Sequence, residues 1–183
     1  MKLQDVLFYM RERDESVGDP NPYKWVYKHT KDLFSGKKVV IFGLPGAFTP
    51  TCSNTQLPEY EVMHQEFKDL GVDEVWCTAV NDAFVMHQWG VHQNLKNTKL
   101  LPDGNGDFAK SMGMLVDKRN LGFGMRSWRY SMYVEDMEVK ALFKEPDYMD
   151  NCPYDPFVVS DASQMLAYLK TQRNNSNIEP LKE

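Results

Sequence analysis

The sequence predicts one α/β domain, a central mixed sheet flanked by helices, on three observations. The run Lys38-Val39-Val40-Ile41-Phe42-Gly43-Leu44 is apolar after its first residue. It lacks the alternation of a half-exposed strand and so reads as an inner strand buried on both faces. Strand-like and helical patterns then alternate to about residue 112, as expected for parallel strands joined by crossover helices. Finally, the strand-like runs 127–135 and 138–144 are separated only by Asp136-Met137, the spacing of a tight antiparallel hairpin.

The elements follow in order. Residues 1–30 read as an irregular extension with short strands near 6–11 and 24–28, broken by Gly18-Asp19-Pro20-Asn21-Pro22. After strand 38–44, Thr49 suits a helix N-cap and Pro50 the first helical position, where its missing N–H costs nothing. Leu57, Tyr60, Met63, Phe67 and Leu70 recur at three- and four-residue steps, so the helix runs to Leu70 with one face to the core, a kink at Pro58 and Gly71 as terminator. Strand 74–80 follows, and Asn81-Asp82 caps a helix over 83–93. A short strand at 98–101 leads into Pro102-Asp103-Gly104-Asn105-Gly106-Asp107, which begins like a calcium loop. Its sixth position is Phe108 rather than Gly and its twelfth Met114 rather than Glu, so calcium is rejected. A helix at 107–112, a glycine-containing loop to Met125, the late hairpin and a helix from Ser160 to Thr171 complete the domain. Residues 172–183 read as a polar tail, and the domain is taken as 1–183.

A hydrophobic fraction of 42% with 26% charged residues is that of a folded domain needing no disulfide or metal staple. The net charge of −5 argues against nucleic acid or an anionic membrane as main partner, since both select clustered Lys and Arg. The N-terminus resembles no signal or transit peptide, no run is long enough to span a membrane, and a cytoplasmic location is expected. Cys52, Cys77 and Cys152 are widely spaced and form neither CxxC nor a Cys/His cluster. They predict no zinc site and no secreted disulfide framework.

Cys52 carries the chemistry. With Thr49 as N-cap it occupies the third helical position, where free N–H groups and the helix dipole favour a thiolate. A small buried cysteine at a helix start is the plainer reading of the same position. Thiolate hydrolysis needs a histidine base, and none of His29, His64, His87 and His92 stands in a recognisable signature beside Cys52. Dithiol exchange ordinarily uses CxxC, but Thr49 occupies the first place of Thr49-Pro50-Thr51-Cys52. Peroxide reduction needs only a thiolate, a hydroxyl to orient the peroxide and a cation to stabilise the developing alkoxide.

The octapeptide Pro45-Gly46-Ala47-Phe48-Thr49-Pro50-Thr51-Cys52 resembles the active-site signature of the peroxiredoxins, in the form carried by the peroxiredoxin-five or plant type II subfamily. Val80-Asn81-Asp82-Ala83-Phe84-Val85-Met86 and Arg126-Ser127-Trp128-Arg129-Tyr130-Ser131 extend the resemblance, which covers about Asp32 to Leu169. It implies a thioredoxin-like fold, no cofactor, and a site of Cys52, Thr49, Pro45 and Arg129, with Arg126 as a secondary cation. Alternation along 127–135 puts Arg129 on the more polar face with Ser127 and Ser131. The resemblance further implies attack of the Cys52 thiolate on peroxide to give a sulfenic acid, and a homodimer joined near the Cys52 loop and Arg126.

Two cysteines could resolve that sulfenic acid. Cys77 lies on the predicted strand 74–80 and reads equally as core, although its spacing matches the resolving position of plant type II enzymes. Cys152 lies in a turn-rich loop expected to be mobile, where animal peroxiredoxin-five enzymes carry theirs. Met112 to Val116 and Leu121 to Tyr130 are most similar to bacterial members that take electrons from glutathione, some through a fused glutaredoxin domain. The resemblance therefore favours external glutathione or glutaredoxin, with thioredoxin or an internal disulfide next. A redox sensor or holdase using the same cysteine is the alternative from another class.

Overall fold

The computed structural model describes residues 1–176. Its centre is a five-stranded sheet of order β5-β4-β3-β8-β9. Strands β3 (Lys38–Gly43), β4 (Glu74–Ala79) and β5 (Lys99–Pro102) run parallel, β8 (Tyr130–Glu135) pairs antiparallel with β3, and β9 (Glu138–Lys144) pairs antiparallel with β8. The inner position of β3 explains its unbroken apolar sequence. Val40 and Phe42 enter one core with Val75, Cys77, Ala79, Tyr60 and Leu166. Val39 and Ile41 enter the opposite core with Trp76, Met132, Val134, Phe34 and Phe108. Full burial of such a side chain is worth about 1.5–3 kcal/mol, so a polar residue on either face of β3 would weaken one core outright.

Helices α2 (Leu57–Val62), α3 (His64–Asp69), α4 (Ala83–His92) and α6 (Ala162–Ser176) contribute side chains to the first core. Helices α1 (Thr30–Phe34) and α5 (Asp107–Ser111) contribute to the second. Among the described residues no helix is long and apolar enough to cross a membrane.

Four expectations are corrected. The opening is a regular antiparallel hairpin, β1 (Leu7–Arg13) against β2 (Tyr23–His29), paired from Leu7↔His29 to Arg13↔Tyr23. Its alternation was obscured because it packs mainly through Phe8, while Tyr9, Trp25 and Tyr27 are exposed. The helix after Cys52 opens with Pro50 and Thr51, widens into a π-helical turn over Cys52–Gln56, and breaks at Met63 (φ −89°, ψ 7°) between α2 and α3. Proline at 58 supplies no N–H to the preceding turn, and a π-turn there is a common accommodation. The run 127–135 is two strands: β7 (Met125–Ser127) pairs with the unpredicted β6 (Leu115–Asp117), and β8 begins at Tyr130. The last helix starts at Ala162 and continues through Ser176 rather than ending at Thr171. The remainder of the expected tail, 177–183, lies outside the described residues. The Asp136-Met137 turn forms as expected, both residues with positive φ (43° and 71°) as a two-residue hairpin of that hand requires.

Candidate active site

The topology brings Cys52 and Arg129 together across 77 residues. Strand β3 ends at Gly43, which pairs with Tyr130 at the start of the antiparallel β8. The loop leaving β3 and the residue entering β8 therefore meet at one end of the sheet, where open α/β folds place their sites. Arg129 is 2% exposed and Cys52 is fully buried. The Arg129 Nη1 donates to Cys52 Sγ at 3.4 Å. Arg129 is covered because β8, which it enters, lies between β3 and β9 rather than at the sheet edge.

Three contacts hold the guanidinium. Nη1 also donates to Gln56 Oε1 at 2.5 Å. Nη2 donates to both carboxylate oxygens of Asp155, at 2.8 and 2.7 Å. The Phe157 ring lies 5.5 Å from the guanidinium carbon, within cation–π range. Burial pulls the Arg129 pKa down, but the negative charge of Cys52 and the Asp155 pair outweigh it and hold the pKa above its ordinary value. A permanent cation is fixed against a sulfur.

Thr49 is the N-cap by backbone geometry, since helical conformation begins at Pro50 and its carbonyl accepts from Ser53 N at 2.9 Å. Its hydroxyl does not cap. It donates to Gly46 O at 2.7 Å, which leaves its lone pairs free to accept from an incoming O–H. Phe48 before it has φ 64°, a left-handed conformation that costs a non-glycine residue about 1–2 kcal/mol. The turn is fixed further by Ala47 N donating to Asn81 Oδ1 at 2.9 Å.

Arg126 does not hydrogen-bond Cys52 in this structure. It braces the turn, donating from Nη1 to Pro45 O at 3.1 Å and from Nε to Phe123 O at 3.2 Å. Gly46 lets it approach closely, since a Cβ there would stand 2.3 Å from Arg126 Nη1 and the guanidinium would have to shift. Burial lowers the Arg126 pKa, with Cys52 opposing.

Cys77 and Cys152 differ in access. Cys77 is fully buried in the sheet, paired with Phe42 and in the same apolar cluster as Cys52. Burial pushes its thiol well up, and Cys52 adds to this. Cys152 is 3% exposed, but it lines a cleft of about 300 Å³ with Pro45 and Thr49. Its loop is anchored rather than loose: Asn151 N donates to Asp117 O at 2.7 Å, Asp117 N to Asp150 Oδ1 at 2.9 Å, and Asn120 Nδ2 to Cys152 O at 3.2 Å. All three cysteines are free thiols.

The sequence reading missed Gln56, Asp155, Phe157 and Glu145. Gln56 carried a usable signal, standing one turn after Cys52 on the same helix. Asp155 carried none, since its loop shows no periodicity. The loop is set by Glu145, 1% exposed, whose carboxylate accepts from Val158 N at 2.7 Å, Val159 N at 3.0 Å and Ser160 N at 2.8 Å. Ser160 O in turn accepts from the buried Tyr60 hydroxyl at 2.8 Å, and the Tyr60 oxygen accepts from the Ser131 hydroxyl at 2.8 Å. Among the described residues no histidine is a hydrogen-bond partner of Cys52. His64 is 8% exposed and its pKa is lowered by burial.

A covered sulfur beside a fixed guanidinium, at the carboxyl end of an inner strand, defines a thiol-redox protein of the α/β class. The sequence matches the family model described as Redoxin over residues 26–166. It is 58% identical over 181 residues to Peroxiredoxin sll1621 of Synechocystis, covering 99% of this chain and 96% of that protein. It is 48% identical to the Hybrid peroxiredoxin hyPrx5 of Haemophilus influenzae, covering 93% of this chain and 66% of that protein. The structure superposes on the Plasmodium falciparum antioxidant protein, a 1-Cys peroxiredoxin, with TM-score 0.87 and 34% identity, covering 93% of this chain and 98% of that one. The chain belongs to the peroxiredoxins of the Redoxin family, with a thioredoxin-like fold and the thiol-dependent peroxidase activity of that family. Its relatives agree with the peroxiredoxin-five or plant type II subfamily.

Proposed function

We propose that the protein reduces hydrogen peroxide and organic hydroperoxides through a sulfenic acid on Cys52, recycled by external glutathione or glutaredoxin, as a cytoplasmic homodimer. The contact of Arg129 with Cys52 Sγ carries the reading. The thiolate lone pair attacks the terminal oxygen of ROOH. The O–O bond breaks, its electron pair leaves on RO⁻, and the hydroperoxide proton passes to that alkoxide, so that Cys–S⁻ and ROOH become Cys–SO⁻ and ROH. Thr49, its own proton given to Gly46 O, accepts from the peroxide and orients it. Arg129 opposes the charge that develops as the O–O bond lengthens. Pro45 shields the product, and Arg126 acts by holding the Pro45–Gly46 backbone.

Recycling then takes two external thiols. The first condenses with Cys52–SOH to a mixed disulfide and releases water; the second displaces Cys52 and leaves as the external disulfide. The burial and raised pKa of Cys77 argue against it as the attacking thiol. Cys152, in the wall of the cleft lined by Pro45 and Thr49, is the internal alternative. The homodimer interface near the Cys52 turn and Arg126 is what the family resemblance suggests, and the exposed Phe48 and Met125 are compatible with it.

A steady-state peroxidase assay comparing glutathione, glutaredoxin and thioredoxin systems tests the class and the reductant together. The expected result is multiple turnover with glutathione or glutaredoxin, abolished by Cys52→Ser. A single stoichiometric burst with every reductant would favour the sensor or holdase. An intramolecular Cys52–Cys152 or Cys52–Cys77 disulfide in high yield after one equivalent of peroxide would overturn the external route.

A further inference from the structure

Lys118 is 3% exposed, yet among the described residues its ammonium has no hydrogen-bond or ion-pair partner. Its Nζ lies 5.4 Å from the centre of the Trp128 ring, and its side chain lines the cleft that Pro45 and Thr49 share with Cys152. With no anion of its own and its side chain in the cleft wall, this ammonium is placed to meet a charged ligand there. Lys118 N donates to Gly124 O at 2.8 Å, and Lys118 O accepts from Leu121 N at 3.0 Å and Phe123 N at 3.2 Å. The residue closes its own loop, with Gly124 at φ 70°, and the same loop brings Leu121 and Phe123 to the cleft wall.

The rest of the cleft is mainly apolar, and its acid, Asp155, already has both oxygens on Arg129. A volume of about 300 Å³ is roughly ten times that of a water molecule, about 30 Å³, so hydrogen peroxide leaves most of it unfilled. An apolar trough with the peroxide-orienting Thr49 at one wall and one unneutralised cation at another fits a single ligand chemistry: an amphiphile with a carboxylate.

We propose that Lys118 is a specificity-determining residue that binds the carboxylate of an anionic organic hydroperoxide, of the fatty-acid hydroperoxide class, while its chain lies over the apolar wall. The inference rests on the peroxidase reading of Cys52. The carboxylate is a spectator in the chemistry, and the bond changes are those given above for ROOH. A carboxylate on the thiol reductant is the other source of the same chemistry, disfavoured because the wall around Lys118 offers little to a polar peptide.

The test is ping-pong kinetics, which separates the hydroperoxide half-reaction from the reductant half-reaction. The probes are the 13-hydroperoxide of linoleic acid and its methyl ester at sub-micellar concentration, with tert-butyl hydroperoxide as the measure of peroxidase activity itself. Wild-type enzyme is expected to favour acid over ester in kcat/KM by about tenfold, the size of one charge-assisted hydrogen bond. Lys118→Met should bring that ratio near one, and Lys118→Arg should retain it. Equal kcat/KM for acid and ester in wild type, or a change confined to the reductant's kcat/KM, would overturn the assignment. Absence of tert-butyl hydroperoxide turnover in wild type would instead overturn the peroxidase reading. If Lys118→Met fails to fold, the wild-type ratio and its decline with added salt decide the matter, a salt-independent ratio counting against Lys118.

Discussion

Replacing Arg129 with lysine keeps the positive charge and removes the geometry. The guanidinium uses one nitrogen for Cys52 Sγ and Gln56 Oε1 and the other for both oxygens of Asp155. A single ammonium cannot occupy both positions. If it stays with Asp155 it abandons the sulfur, and if it stays with the sulfur it leaves a carboxylate unpaired. The loss of one positioned donor in a transition state is worth about 2.7–4 kcal/mol, so the second-order rate constant for peroxide should fall at least about 100-fold. Asp155 is 43% exposed at its side chain, and water recovers part of the lost pairing. The folding cost is therefore smaller, about 1–2 kcal/mol. Stopped-flow single turnover with one equivalent of hydrogen peroxide reads the first quantity and urea denaturation the second. Iodoacetamide alkylates the same sulfur without breaking an O–O bond and should slow far less. A variant that reacts with peroxide within threefold of wild type would refute the assignment of Arg129.

Glu145→Gln replaces one of the two oxygens facing the amides of Val158, Val159 and Ser160 with an NH₂ group. The expected loss is about 3 kcal/mol, two charge-assisted hydrogen bonds, with hydrogen exchange rising selectively at those three amides. Asp103, 5% exposed, accepts from Phe108 N at 3.0 Å and Ala109 N at 2.8 Å, and burial pushes its pKa up to about 6. Because the folded chain holds this proton more tightly than the unfolded one, the site contributes most below about pH 4. That contribution declines as pH rises to about 6, by on the order of 2–3 kcal/mol. Asp103→Asn should flatten that segment of the stability profile measured by urea melts, and an unchanged slope would count against it.

What the sequence disclosed follows from where the information is local. Lys38 to Leu44 announced β3 because burial on both faces leaves no polar position, and Asp136-Met137 announced its hairpin because only two residues separate the strands. Cys52 and Thr49 were legible because capping residues stand beside the thiol they position. Arg129 was found through alternation and resemblance, although the strand is interrupted at it; its burial depends on β8 lying between β3 and β9, which no local pattern encodes. Asp155 and Glu145 stayed invisible for the same reason, since their partners are 26 and 13 to 15 residues away in a loop without periodicity. The β1–β2 hairpin was read as irregular because Trp25 and Tyr27 point outward, contrary to the rule that large apolar residues face a core.

The account stands on Cys52 as the atom that meets peroxide. Mass spectrometry of proteolytic peptides after one equivalent of hydrogen peroxide, with a dimedone-type trap for sulfenic acid, measures this directly. The trap is expected on the Cys52 peptide in near-stoichiometric yield. Trapping at Cys77 or Cys152, or oxygen found only on methionine while Cys52 stays reduced, would contradict it.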